Sequence, residues 1–317
     1  MRPSLQLVVF AALSVAVTSA AVAQHHHDPR ADSIVGVAKQ AMGTLRDSVS
    51  LRQAGWSALG FGAGVRDLSP FQGQHWIMMP RFVANLATDL SQPSFLMYLP
   101  LGDSLVPIGV AYTRRMPIDA SVPDSLAGGV AEWHTHMFCR NVPGQGNILS
   151  DGVEDCAMRG GNAAPLKIAM VHTWTVPNPD GPYAHDNPAL PFLATGLRAP
   201  QSATREDREF AIALGETYGA RLFIVYRIER DIRRKPAPPE GLAKLEALRV
   251  QLRELVPQLR DAERTGDRKK FDALRKQMVN GYTSIAELYR GLAQTPEIRA
   301  RYDYELTQAL ERKHKHM

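Results

Sequence analysis

Apolar positions along the chain change their period several times, and each change predicts a different kind of element. In residues 32–51, Ile34, Val37, Ala41, Leu45 and Val49 recur at spacings of three and four. That stripe belongs to an amphipathic helix with Asp32 or Ser33 as N-cap. From Ser94 the pattern shortens to that of strands. Residues 95–99 and 106–112 flank Gly102-Asp103-Ser104 as a hairpin, 130–138 read as a third strand, and 166–176 as a fourth. A helix follows over 204–218 and breaks at Gly219, while 222–228 fits strand or helix equally. Residues 233–241 (RRKPAPPEG) form a proline-rich linker.

Beyond the linker the period is helical throughout. Leu242, Leu245, Leu248, Leu252, Leu255 and Leu259 make one stripe, with Pro257 expected to kink or break it. Thr265-Gly266-Asp267 turns the chain, and Phe271, Leu274, Met278, Ile285, Leu288 and Leu292 make a second stripe. Thr295-Pro296 supplies an N-cap with proline at the first helical position, opening a last helix. The expected class is α+β: a small antiparallel sheet with flanking helices, followed by a C-terminal helical hairpin or bundle.

The N-terminus reads as an address. Arg2, an apolar run over 5–17 and Ala21-Val22-Ala23 make an export signal over residues 1–23. Residues 24–32, with His25, His26 and His27, then form a disordered leader. The α+β domain spans 33–232, the linker 233–241 and a basic helical tail 242–317. A periplasmic or extracellular location is expected, where a disulfide persists.

Charge sharpens this division. The 317 residues carry net +5, yet residues 233–317 hold 19 of the 37 Lys+Arg and only 12 of the 32 Asp+Glu. The tail is therefore strongly basic and the rest slightly acidic, which suits a cation ligand for the domain. Arg and Lys in the tail alternate with Glu and Asp along helices, as on a solvated surface. Packing or homo-oligomer formation is the expected role, nucleic acid is not an expected partner, and peripheral membrane contact is the lesser alternative. A Gly60-Phe-Gly62-Ala-Gly64 run imitates a dinucleotide loop, but no strand precedes it and its final spacing differs.

Histidines carry the candidate chemistry. His75, His134, His136, His172 and His185 all fall near the expected sheet. On a strand, Glu132, His134 and His136 project to one face, so two imidazoles and a carboxylate can meet one divalent ion. Met170, His172 and Trp174 share a face of the next strand, and pairing of the two strands would add His172 as a further nitrogen. Iron, copper, manganese or zinc would suit such a set. Metal-bound water or oxygen would make any reaction hydrolytic or oxidative. The alternatives are a non-catalytic metal or small-ligand carrier, an envelope interaction protein, or histidines that merely mark a half-exposed strand. Trp133, pointing the other way, is expected in the core.

After His172 the chain reads Thr-Trp-Thr-Val-Pro-Asn178-Pro-Asp-Gly181-Pro-Tyr-Ala-His185-Asp-Asn187-Pro188. The two Asn-Pro pairs and Pro-Asp-Gly require turns, with Asn178 and Asn187 bonding the loop back on itself. His185 in this loop is a candidate lid ligand or general base, and Glu132 is the other catalytic candidate. Cys139 and Cys156 bound a Gly/Asp/Asn-rich loop and are expected to form a disulfide, thiolate ligation beside His136 being the alternative. Asp151, Glu154 and Asp155 in that loop are either cation-attracting or simply solvated.

Gly73-Gln-His75-Trp76, Tyr98-Leu-Pro100, Glu132-Trp-His-Thr-His136 and the His172-x-Trp-x-x-x-Asn-Pro-x-Gly…Asn-Pro run together resemble a family of uncharacterised exported bacterial proteins. The resemblance covers about residues 33–220 and omits the tail. It implies that His75 and His172 belong with the His-x-His pair, and it implies nothing about a reaction. The Cys139–Cys156 insertion departs from the look of that family.

Overall fold

The structure, a computed structural model, describes residues 29–58, 68–84, 89–122, 131, 133–143, 146–150, 152–158, 160–235 and 240–311. The expected export signal, His25 to His27, the run at 60–64, Glu132, Asp151 and residues 236–239 of the linker lie outside them. Among the described residues, a seven-stranded antiparallel sheet is ordered β1-β2-β3-β4-β7-β5-β6. Its strands are β1 (Ser57–Ala58), β2 (Gln74–Ile77), β3 (Phe95–Leu101), β4 (Ser104–Pro117), β5 (His134–Val142), β6 (Gly146–Ser150) and β7 (Asn162–Trp174). With the helices below, the fold is α+β.

The hairpin turns at Gly102, which adopts a left-handed φ of +61° between the paired Leu101 and Ser104. β5 starts at His134, later than the expected 130, and continues to Val142 because β7 and β6 pair with it on either side. β7 starts earlier than expected, at Asn162, where its first residues pair with the end of β5.

The predicted first helix is two: α1 (Pro29–Met42) and α2 (Ser48–Gln53). The apolar period runs through both, but Gly43 takes φ +49°, and Asp47 then caps α2 by accepting the N–H groups of Val49 and Ser50. A local cap thus overrides a continuous stripe. α1 opens at Pro29, inside the span read as leader.

Alternation along each strand divides the sheet into two buried faces. Trp76, Leu96, Tyr98, Val110, Tyr112, Trp133, Ala169 and Val171 form one, packed with Ala38 and Met42 of α1 and Leu51 of α2. The opposite face carries Ile77, Phe95, Met97, Ile108, Ala111, Ile168, Met170 and Trp174. It packs with Phe82 of α3 (Met79–Ala84) and Leu190 of α5 (Leu190–Thr195).

Helices account for the rest. α6 (Arg205–Tyr218) begins with a capping box between Thr204 and Asp207 and ends at Gly219 in a left-handed conformation. The ambiguous 222–228 segment is helical, within α7 (Phe223–Arg233), because Ile224, Val225, Ile228 and Ile232 turn one stripe into the core. α8 (Glu240–Thr265) continues through Pro257, so of the expected kink or break the break does not occur. Pro257 is exposed, so the carbonyl it leaves without an N–H partner faces water. α9 (Arg268–Leu292) returns antiparallel after Gly266, and α10 (Pro296–Glu311) opens with Thr295 accepting the Ile298 N–H.

Residues on both sides of the proline linker enter one core, which includes Phe71, Phe192, Phe210, Leu214, Ile228, Leu245, Leu252, Tyr289 and Tyr302. Two buried ion pairs fasten these helices to loops of the sheet. Arg208 of α6 binds Asp180, and Arg301 of α10 binds Asp155 at 3.0 Å. Asp155 belongs to α4 (Val153–Met158), so this member of the acidic loop answers an arginine.

Cys139 of β5 and Cys156 of α4 form the expected disulfide, which removes thiolate ligation from consideration. Replacing both by alanine opens a loop of 17 residues in sequence separation. Stability should fall by about 3 kcal/mol in the chain-entropy account, read as a lower midpoint in urea. An unchanged midpoint would contradict a stabilising role.

Candidate metal centre

Strand register brings the histidines together. His134 pairs with Met170, so His172 lies one same-face step further along β7, on the side of the sheet that holds Met170 and Trp174. His134 and His136, two apart on β5, point to that side, as strand alternation predicts. His75 arrives from β2, paired with Met97. Its approach depends on Gly73, whose φ is +65°. A Cβ there would stand 2.5 Å from Ile108 Cδ1 and 2.7 Å from the Tyr98 carbonyl oxygen. Only glycine fits that turn.

His185 comes from the loop after β7, folded back by its asparagines. Asn178 Nδ2 donates to the Asp186 carbonyl at 2.9 Å, and Asn187 Nδ2 to the Pro177 carbonyl at 3.1 Å. The Asn187 N–H donates to the Phe71 carbonyl at 2.8 Å, tying the loop to the segment before His75. Trp174 Nε1 donates to the Ala184 carbonyl at 2.6 Å. Five imidazoles therefore converge: spacing points to His134, His136 and His172, while the resemblance alone implies His75 and His185 is a loop candidate.

Within the five, His134, His136 and His185 offer ligand nitrogens that all lie within 4.8 Å of one another, close enough to hold a metal ion. The ring centroids of His134 and His185 are 4.3 Å apart, and those of His134 and His136 are 5.0 Å apart. His172 adjoins this trio at 4.9 Å from His134, and its Nδ1–H donates to the His185 carbonyl at 2.6 Å. In the neutral ring that bond leaves Nε2 as the base nitrogen, and Nε2 faces His75 Nε2 at 3.4 Å.

A carboxylate backs the trio. His185 Nδ1 lies 3.1 Å from Asp186 Oδ1, and Gln72 Nε2 donates to the same oxygen at 3.2 Å. Such a partner fixes the ring's orientation and directs the other nitrogen to an ion. Neither Asp186 nor Gln72 was legible as part of the site. Each adjoins a residue that was, but nothing in local periodicity aims them at it.

Burial grades across the cluster. His75, His134 and His172 are buried, while His136 and His185 are partly exposed, so the trio reaches the surface. Burial pushes His75 down to about 3, helped by electrostatic repulsion from His136 and His185. Burial first, then His75 and His185, also holds His172 well below the ordinary histidine range. These rings are neutral at pH 7, and a neutral imidazole has the lone pair that a cation requires.

Among the described residues no helix is long and apolar enough to cross a membrane. Comparison with protein-family models, curated proteins and solved structures finds no match.

Proposed function

We propose that the sheet domain holds a divalent transition-metal ion on His134, His136 and His185, with His172 as a candidate fourth nitrogen and His75 behind it. Convergence of these rings from β2, β5, β7 and the loop after β7 carries the reading. An all-imidazole set suits zinc or copper better than manganese, which prefers oxygen ligands. We also infer that the protein works outside the cytoplasm; the disulfide supports this, as does the signal-like N-terminus.

Three nitrogens with an approach from the surface favour hydrolysis, since a zinc ion held by His134, His136 and His185 would supply Lewis-acid activation of water there. Iron or copper would instead support oxidative chemistry. In either case Asp186 and Gln72 orient His185, and the buried His75 and His172 stay neutral. On the loop, His185 is the candidate general base when not ligating the ion; Glu132, the other catalytic candidate, lies outside the described residues. A non-catalytic metal carrier is the second reading, favoured by a fourth imidazole, His172, adjoining the trio with its ring centroid 4.9 Å from that of His134.

Elemental analysis of full-length protein, loaded with zinc or copper and desalted, tests the site. One ion per chain is expected, lost in the His134→Ala, His136→Ala double variant. No retained ion in the parent protein, or equal retention in both, would overturn the proposal.

A further inference from the structure

At the far end of β5 from the histidines lies a cleft of 160 Å³ that the metal centre does not use. Its walls come from three places. Val142 and Pro143 end β5, Phe223 and Ile224 open α7, and Ile298 stands in the first turn of α10. Onto this apolar frame project Arg227 and Arg230 of α7, Arg234 just past its end and Arg301 of α10. Asp231 and Glu297 are the lining carboxylates, and Arg301 is already bound by Asp155 and Glu305.

Arg227, Arg230 and Arg234 recur at i, i+3 and i+7, which stacks them on one face of the helix. Asp231 is shared between two of them at a distance beyond hydrogen bonding: 3.6 Å from Arg227 Nε and 3.6 Å from Arg230 Nε. Arg230 Nε is buried and has no hydrogen-bond partner among the described residues. A buried guanidinium nitrogen left this way costs free energy that an acceptor would recover. Arg301 is held in place from behind by Asp155 and by Glu305, so it is positioned without a search among rotamers. Glu297 sits at the exposed start of α10 and forms the rim. Arginines near a helix C-terminus also complement its dipole, but that role requires neither a cavity nor a buried nitrogen.

We propose that this cleft binds a phosphate group, free or carried on a small molecule. Planar guanidinium forks match phosphate oxygens in pairs, and several of them around one apolar-walled cleft favour a dianion over a single carboxylate. Arg230 meets Asp231 only at 3.6 Å, and Arg234 extends the positive face outward. The site is independent of the histidines.

Calorimetric titration of the full-length protein with inorganic phosphate and with glycerol 3-phosphate, at constant ionic strength, tests this. Saturable binding of one anion per chain is expected, tighter for the ester if the phosphate is carried and for the free ion if it is not. Arg230→Ala with Arg234→Ala should weaken binding by about tenfold or more. Arg268→Ala with Lys269→Ala, at exposed cations elsewhere, should leave it unchanged. Asp231→Asn should tighten binding, an outcome that impaired folding cannot produce. Absent saturable binding, or equal affinity in the Arg230/Arg234 variant and the parent, would overturn the proposal. So would weaker binding in Asp231→Asn.

Discussion

Replacing Arg249 by methionine is expected to remove about 3–5 kcal/mol of stability, the cost of stranding buried carboxylates. Arg249 of α8 is 2% exposed. Its Nε binds Glu216 of α6 at 3.0 Å, and its Nη2 binds both Glu229 of α7 and the Tyr289 hydroxyl of α9. Arg221 reaches the same two glutamates at 3.3 and 3.2 Å. Burial raises the Glu216 carboxyl above its usual range, against the pull of Arg221 and Arg249. Without Arg249 one arginine must answer two buried carboxylates. The loss should show in urea unfolding, and Glu216→Gln added to Arg249→Met should restore part of it. A loss under about 1 kcal/mol would mean that the network contributes little beyond packing.

The metal-free protein should lose stability steeply between pH 7 and pH 5. The folded state holds His75 at about 3 and His172 well below the ordinary value, while an unfolded histidine titrates near 6.5. Between those limits the unfolded chain binds protons that the folded chain refuses. The stabilisation from the neutral rings is therefore complete above about 6.5 and is lost as pH falls toward 3. At pH 5 the proton excluded from His75 costs about 2 kcal/mol. Thermal unfolding across this range should show the decline, flattened in His75→Gln. Bound metal should be released over the same range, because protons compete for the same lone pairs. A midpoint independent of pH between 7 and 5 would contradict burial of these rings in the neutral state.

Much of this was legible in the chain because it depends on local periodicity. The hairpin at Gly102, the capping box at Thr204 and the turn at Gly266 are written in adjacent residues, and so is the same-face placement of His134 and His136. Other features needed the tertiary fold. Gly43 and Asp47 split an unbroken apolar stripe, and exposure let Pro257 stay inside α8. The helical state of 222–228 was decided by which residues found a core. At the site, the five histidines were recognisable individually, but the closest trio includes His185 in preference to His172. That choice rests on Asn178, Asn187 and Trp174 folding the loop back over β5, a matter of register between distant segments. The buried pairs Arg208–Asp180 and Arg301–Asp155 are likewise invisible to spacing.

The central claim is that imidazoles from β5 and the following loops share one metal ion. X-ray absorption at the metal edge of the zinc- or copper-loaded protein measures this directly. The account predicts a first shell of nitrogen or oxygen near 2.0–2.1 Å with the multiple-scattering signature of at least three imidazoles, reduced in His185→Ala. A shell of oxygen alone, or an imidazole signature unchanged in that variant, would contradict it.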